Sequence, residues 1–171
     1  MGIEYSPCSV PDQFAGVVAD LRPNMEQKRQ RGELIVDPSV GVIDTDSQQL
    51  HDALRNLVEN AVIYSPAGGL ITLAVRREDD HIVITVADEG PGIPPSDLSR
   101  VLERFYRVDK ARSHESGGTG LGLAIVKHIV ERMRGSVGAD NRTGGGAVFS
   151  IQLPCKPATQ PGESTITNGR A

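Results

Sequence analysis

No stretch of the chain approaches the roughly 20 consecutive apolar residues needed to span a bilayer, and no signal peptide precedes the first periodic segment. Basic clusters are missing too: 18 Lys and Arg stand against 22 Asp and Glu, a net charge of −4, and no long Lys/Arg run stands out. Phosphate neutralisation needs clustered positive charge, so nucleic acid is not an expected partner. Cysteine is scarce. Cys8 and Cys155 lie near the two ends with no C-x-x-C spacing and no histidine cluster around them, which argues for free thiols rather than a disulfide or zinc site. These absences lead to the expectation of a soluble cytoplasmic protein. At 171 residues the chain is long enough for one domain with a real core but hardly for two.

What is present falls into alternating helical and extended patterns. Residues 1–11 predict a loose, flexible lead-in. Phe14, Val17, Val18 and Leu21 recur at helical spacing, so a helix is expected over 13–31, kinked or interrupted at Pro23 unless its neighbours compensate. Two short strands, 33–37 and 40–44, are expected around a Pro38-Ser39 turn. Asp46 or Ser47 can cap a second helix to about Tyr64, with Leu50, Leu54, Leu57, Val58 and Ala61 as its buried stripe. Alternation at 70–78 and 81–87 predicts a hairpin closed by Asp79-Asp80. Residues 90–119 carry little apolar period beyond a short helical piece near 96–104, and so long a connection is usually functional or mobile. A third helix from Leu121 to about Arg134, with Gly135 as its cap, and a last hairpin around Gly144-Gly145-Gly146 complete the pattern. Beyond Pro154 the polar residues 155–171 predict a disordered tail.

Three runs carry chemistry. Asn56-Leu57-Val58-Glu59-Asn60 lies on the second helix. At about 100° per residue, Asn56 and Asn60 fall within about 40° of each other, away from the apolar stripe. Such an edge is either a solvated polar face or a source of amide oxygens for Mg²⁺, which shares its oxygen ligands with nucleotide phosphates. Asp88-Glu89-Gly90-Pro91-Gly92 ends a strand. It is either an ordinary turn or a carboxylate placed beside a backbone that lets a ligand approach closely. Gly118-Thr119-Gly120-Leu121-Gly122 opens the third helix, where backbone amides favour anions. It has no G-x-x-x-x-G-K-[ST] pattern, and Leu123 takes the third glycine's place of the dinucleotide fingerprint.

In this order, over residues 12–154, the runs resemble the ATP-binding domain of bacterial two-component sensor histidine kinases, within the superfamily that includes gyrase, Hsp90 and MutL. The match extends to Leu121-Gly122-Leu123-Ala124-Ile125-Val126-Lys127, similar to the second glycine box, and to Glu103-Arg104-Phe105-Tyr106-Arg107, similar to the phenylalanine box. The resemblance implies the Bergerat fold: an α/β two-layer sandwich with a mixed, mostly antiparallel sheet of about five strands and about three helices on one face. It implies ATP and Mg²⁺ held under a lid at about 92–119. Asn60 would ligate the metal and Tyr64 would pack against adenine. Asp88, with Gly90 and Gly92, would accept from the adenine amine. Gly118, Thr119, Gly120, Leu121 and Gly122 would cradle phosphate, and Arg107 would stabilise the transferring charge.

Two departures matter. Most members place Lys or Arg where Ile63 stands, which implies weaker nucleotide binding or compensation by lid residues such as Lys110 or Arg112. ATP-hydrolysing relatives and anti-sigma-factor serine kinases carry a Glu base where this chain has Asn56. A neutral amide has no useful basicity near pH 7, which suits a histidine nucleophile that needs no activation. Glu59 is an available carboxylate whose role stays open. None of His51, His81, His114 and His128 lies in an H-E-x-x-x-P-like acceptor motif on a helix. The expectation is therefore a protein-histidine kinase component acting on a separate, dimeric helical phosphoacceptor and, through it, a response regulator. Both a natural one-domain protein and a piece of a longer kinase fit. The alternatives are an anti-sigma-factor-type serine kinase and a non-catalytic nucleotide-binding module.

Overall fold

The computed structural model describes residues 2–103 and 122–155. Two sheets and three helices make up this part. Strand β1 spans Ser6–Ser9, helix α1 Val10–Gln27, β2 Arg31–Val36 and β3 Val42–Thr45. Helix α2 spans Ser47–Tyr64, β4 Leu70–Glu78, β5 His81–Ala87, α3 Gly122–Arg132, β6 Ser136–Asn141 and β7 Ala147–Pro154. The main sheet runs β2-β4-β5-β7-β6, with β2 parallel to β4 and all other pairs antiparallel. This is the mixed, mostly antiparallel five-stranded sheet with three helices that the resemblance implies.

Each helix is set by its apolar spacing and its cap. Val10, Phe14, Val17, Leu21 and Met25 bury one stripe of α1, whose N-cap Ser9 accepts from the Asp12 amide. Pro23 lies inside this helix without ending it. Pro23 and Ala19, whose carbonyl the ring leaves without its helical donor, are both exposed, so the break in the hydrogen-bond ladder lies on the solvent side. Asp46 caps α2 by accepting from the Gln49 amide at 3.1 Å, and Leu50, Ala53, Leu54, Leu57, Val58, Ala61 and Val62 form its buried face. Against them stand Ile71, Leu73 and Val75 of β4, Ile82, Ile84 and Val86 of β5, and Phe149, Ile151 and Leu153 of β7. Alternation puts each set on one face of the sheet, so the core lies between sheet and helices. At the end of α3 it is Arg134, not the expected Gly135, that takes the positive φ, at 61°.

The N-terminal third differs from expectation. Residues expected as a loose lead-in carry β1, which pairs antiparallel with β3 from Ser6↔Thr45 to Ser9↔Val42. Helix α1 accordingly starts at Val10 and ends at Gln27, where Arg29 turns the chain with φ 53°. The two strands around Pro38-Ser39 do not pair with each other. β2 joins the main sheet beside β4, Arg31↔Leu70 to Val36↔Val75, while β3 joins β1. Burial decides the second pairing, for Cys8, Val40 and Ile43 are all buried. The piece expected to be helical near 96–104 is, over its described residues 96–103, a succession of turns. Asp97, Arg100 and Glu103 amides donate to the carbonyls of Pro94, Asp97 and Arg100.

Candidate nucleotide site

Asp88 is the most constrained of the expected site residues. It leaves the end of β5 with 3% of its surface exposed. Its Oδ1 accepts from the Gly90 amide at 2.8 Å and the Ala147 amide at 3.2 Å. Among the described residues Oδ2 has no hydrogen-bond partner, so one carboxylate oxygen is anchored and the other stays available. Burial pushes the Asp88 carboxyl above its ordinary value, against the opposing pull of the Gly90 and Ala147 amides and of Arg142.

The backbone around this carboxylate has no room for side chains. A Cβ at Gly90 would lie 2.6 Å from the Tyr64 carbonyl oxygen, at the end of α2. Gly92 has φ 79°, and a Cβ there would meet Asn141 Oδ1 at 2.7 Å. The two glycines therefore let the loop pass between the end of α2 and the β6–β7 turn. That turn supplies residues that the sequence pattern did not single out. Asn141 Oδ1 accepts from the Ile93 amide at 2.7 Å, and its Nδ2 donates to the Ile93 carbonyl at 2.7 Å. Arg142 Nη1 donates to the Asp88 carbonyl at 2.9 Å, while the Asp88 amide donates to the Ala147 carbonyl at 3.0 Å. Glu89 reaches the other way and accepts from the Leu70 amide at the start of β4. A glycine-rich turn after a strand was the only local signal for Asn141 and Arg142. Their approach to Asp88, about fifty residues earlier, is a product of β5–β7 pairing.

Asn56 and Asn60 share the half-buried edge of α2, as their spacing predicts. Asn56 Nδ2 donates to the Asp52 carbonyl at 2.8 Å, which turns Oδ1 toward the start of α3. A Cβ at Gly122 would stand 3.2 Å from that oxygen, so the first described turn of α3 lies directly against the asparagine helix. Asn60 has no hydrogen-bond partner among the described residues. Tyr64 is 43% exposed and Ile63 half-buried at the same end of the helix. The structure thus brings Asn56, Asn60, Tyr64, Asp88, Gly90, Gly92 and Gly122 onto α2 and its two neighbours. Arg107, Lys110, Arg112, His114, Gly118, Thr119, Gly120 and Leu121 lie outside the described residues, as do most of the expected lid and tail.

The donor set fits a nucleotide better than a bare metal ion. No group of three His, Cys, Asp or Glu among the described residues could hold a metal. Mg²⁺ held by one amide oxygen would fill its other positions with water and phosphate oxygens.

Comparison with known proteins now decides the family. Residues 45–157 match the family described as histidine kinase-, DNA gyrase B-, and HSP90-like ATPase. The chain belongs to this family. Over 109 residues it is 49% identical to the sensor-like histidine kinase SenX3 of Mycobacterium tuberculosis, an alignment covering 64% of this chain and 27% of that protein. Full-length ShkA, solved in complex with AMPPNP, superposes with a TM-score of 0.79 at 28% identity, over 92% of this chain and 32% of that one. The mycobacterial sensor histidine kinase MprB superposes at 0.76 and 29% identity, over 91% of this chain and 100% of that one. The chain spans about a quarter of the length of SenX3. Its histidine-kinase-like catalytic domain matches the catalytic part of such proteins.

Proposed function

We propose that this chain is the ATP-binding catalytic component of a sensor histidine kinase. In this reading it holds Mg-ATP and passes the γ-phosphate to a histidine on a separate phosphoacceptor protein or domain. The observation that carries the reading is Asp88: a buried carboxylate with one oxygen fixed by two main-chain amides and the other open, beside a glycine backbone at the end of α2. An exocyclic amine suits such an acceptor, whereas the carbonyl of guanine would leave the charge unpaired. Adenine selectivity follows. Tyr64 offers an exposed ring at the same end of the helix.

Asn60 would hold Mg²⁺ through its amide oxygen, and bound Mg²⁺ would neutralise charge on the phosphates. Gly118 to Gly122 would bring main-chain amides to those phosphates at the start of α3. Arg107, with Lys110 or Arg112, would stabilise charge during transfer, since phosphoryl transfer depends mostly on positioning and electrostatics. Asn56 spends its amide nitrogen on the Asp52 carbonyl and has no basicity to offer. That favours an imidazole nucleophile over a serine hydroxyl, and so disfavours the anti-sigma-factor kinase reading. The acceptor would be a dimeric helical partner that feeds a response regulator. The lid at about 92–119 would close over the nucleotide, and the reaction would take place in the cytoplasm.

Calorimetric titration with ATP and GTP in the presence of Mg²⁺ tests the reading. Clear preference for ATP, lost in Asp88→Asn, supports it. Equal affinity for the two nucleotides in the parent protein contradicts it.

A further inference from the structure

The last carbonyls of any helix lack amides ahead of them and gather the negative end of its dipole. At the end of α2 these oxygens are divided between two neighbours. Lys28, the C-cap residue of α1, donates from Nζ to Val62 O at 2.7 Å, Ile63 O at 3.1 Å and Ser65 O at 2.7 Å. Gln30 Nε2 adds bonds to Val62 O at 2.9 Å and Ser65 O at 3.1 Å. The carbonyl missing from that set is Tyr64's, and this is the oxygen packed against Gly90. All three donors of the ammonium are used on main chain, and among the described residues no carboxylate shares its charge.

We propose that Lys28 is a positioning residue for nucleotide binding. It fixes the end of α2 so that the Tyr64 carbonyl meets the loop that carries Asp88 and Gly90. The inference rests on the ATP-binding reading above. It also gives the Ile63 departure a structural counterpart: a cation does stand at this helix end, but it comes from the α1–β2 junction and serves the helix carbonyls. Burial lowers the Lys28 pKa, as expected for an ammonium paired only with dipoles. The junction does not depend on this side chain alone. The Gly68 amide donates to the Lys28 carbonyl at 2.8 Å and the Arg31 amide to the Gly69 carbonyl at 3.0 Å. These main-chain bonds remain when the side chain is replaced.

The test compares the full chain with its Lys28→Met and Lys28→Arg variants by calorimetry with ATP and with GTP, each with Mg²⁺. Lys28→Met is expected to raise the dissociation constant for ATP by about tenfold and to shrink the preference for ATP over GTP, because the Asp88 loop loses its register. Lys28→Arg, which keeps a cation with several donors, is expected to recover part of both. A merely structural role would lower the melting temperature while leaving the affinity of the folded protein and the ATP-to-GTP ratio unchanged, and that result overturns the proposal. If circular dichroism shows Lys28→Met unfolded, Lys28→Gln is held to the same two readouts. A parent protein that fails to bind ATP overturns the functional reading itself. A parent that binds ATP, with variants that bind it equally well and as selectively, overturns the role of Lys28 alone.

Discussion

Asp88 holds its charge at a cost, since burial raises its pKa while two amides and Arg142 oppose the shift. A charge-assisted hydrogen bond from an adenine amine contributes about 1.5–3 kcal/mol, so Asp88→Asn is expected to weaken ATP binding by about tenfold or more while leaving the fold intact. Titration calorimetry measures this. The sign of the pH effect follows from the same shift. The ionised carboxylate is the acceptor, so the Asp88-dependent part of the affinity is present above its raised pKa and lost as pH falls through it. The difference in ATP affinity between parent and Asp88→Asn should therefore close on acidification, starting above the pH at which an ordinary aspartate titrates. A difference that stays constant down to that ordinary range contradicts the assignment. On α2, Asn60→Ala is expected to abolish Mg²⁺-dependent transfer more completely than it reduces nucleotide binding. Transfer at the parental rate would place the metal elsewhere. At this scale the sequence was informative wherever a residue's place in the fold depends on neighbours in the chain: Asn56 and Asn60 on one helix edge by their spacing, Asp88 at the end of a strand. Asn141, Arg142 and Lys28 act across 48, 54 and 34 residues respectively. No local pattern marks them.

The elements divide along the same line. Helix α2, the β4–β5 hairpin and the β6–β7 hairpin were legible because their apolar period and their turns are local. β2 and β3 were legible only as short strands on either side of a turn, without their partners, because a parallel partner such as β4 becomes adjacent only after the chain has crossed over through α2. β1 carries only one buried residue, Cys8, and so had no period to show. The site depends on α2 keeping its seat on the sheet. Leu57, fully buried between Asn56 and Asn60, anchors that seat, and Leu57→Ala is expected to cost about 2–5 kcal/mol in denaturant unfolding. The β6–β7 turn makes a smaller contribution. Asn141→Ala removes two bonds to Ile93 and is expected to destabilise by about 1–2 kcal/mol, measured in the same way. A stability equal to the parent's would show that the loop after Asp88 is held without it.

For the whole molecule, the chain brings the buried Asp88 carboxylate, the Asn56 and Asn60 amides and the first described turn of α3 together around the end of β5 and helix α2. None of its four histidines stands in an acceptor motif. No helix among the described residues is long and apolar enough to cross a membrane. Transfer needs an imidazole in line with the γ-phosphate, and docking to a helical acceptor would supply that geometry. The central claim is tested most directly by incubating the chain with γ-labelled ATP and Mg²⁺, alone and with an acceptor protein bearing an H-E-x-x-x-P-like helix. The expected result is acid-labile, alkali-stable label on the acceptor only, appearing much more slowly with Arg107→Ala. Acid-stable label on a serine, or acid-labile label on this chain by itself that disappears in His114→Gln, would contradict it.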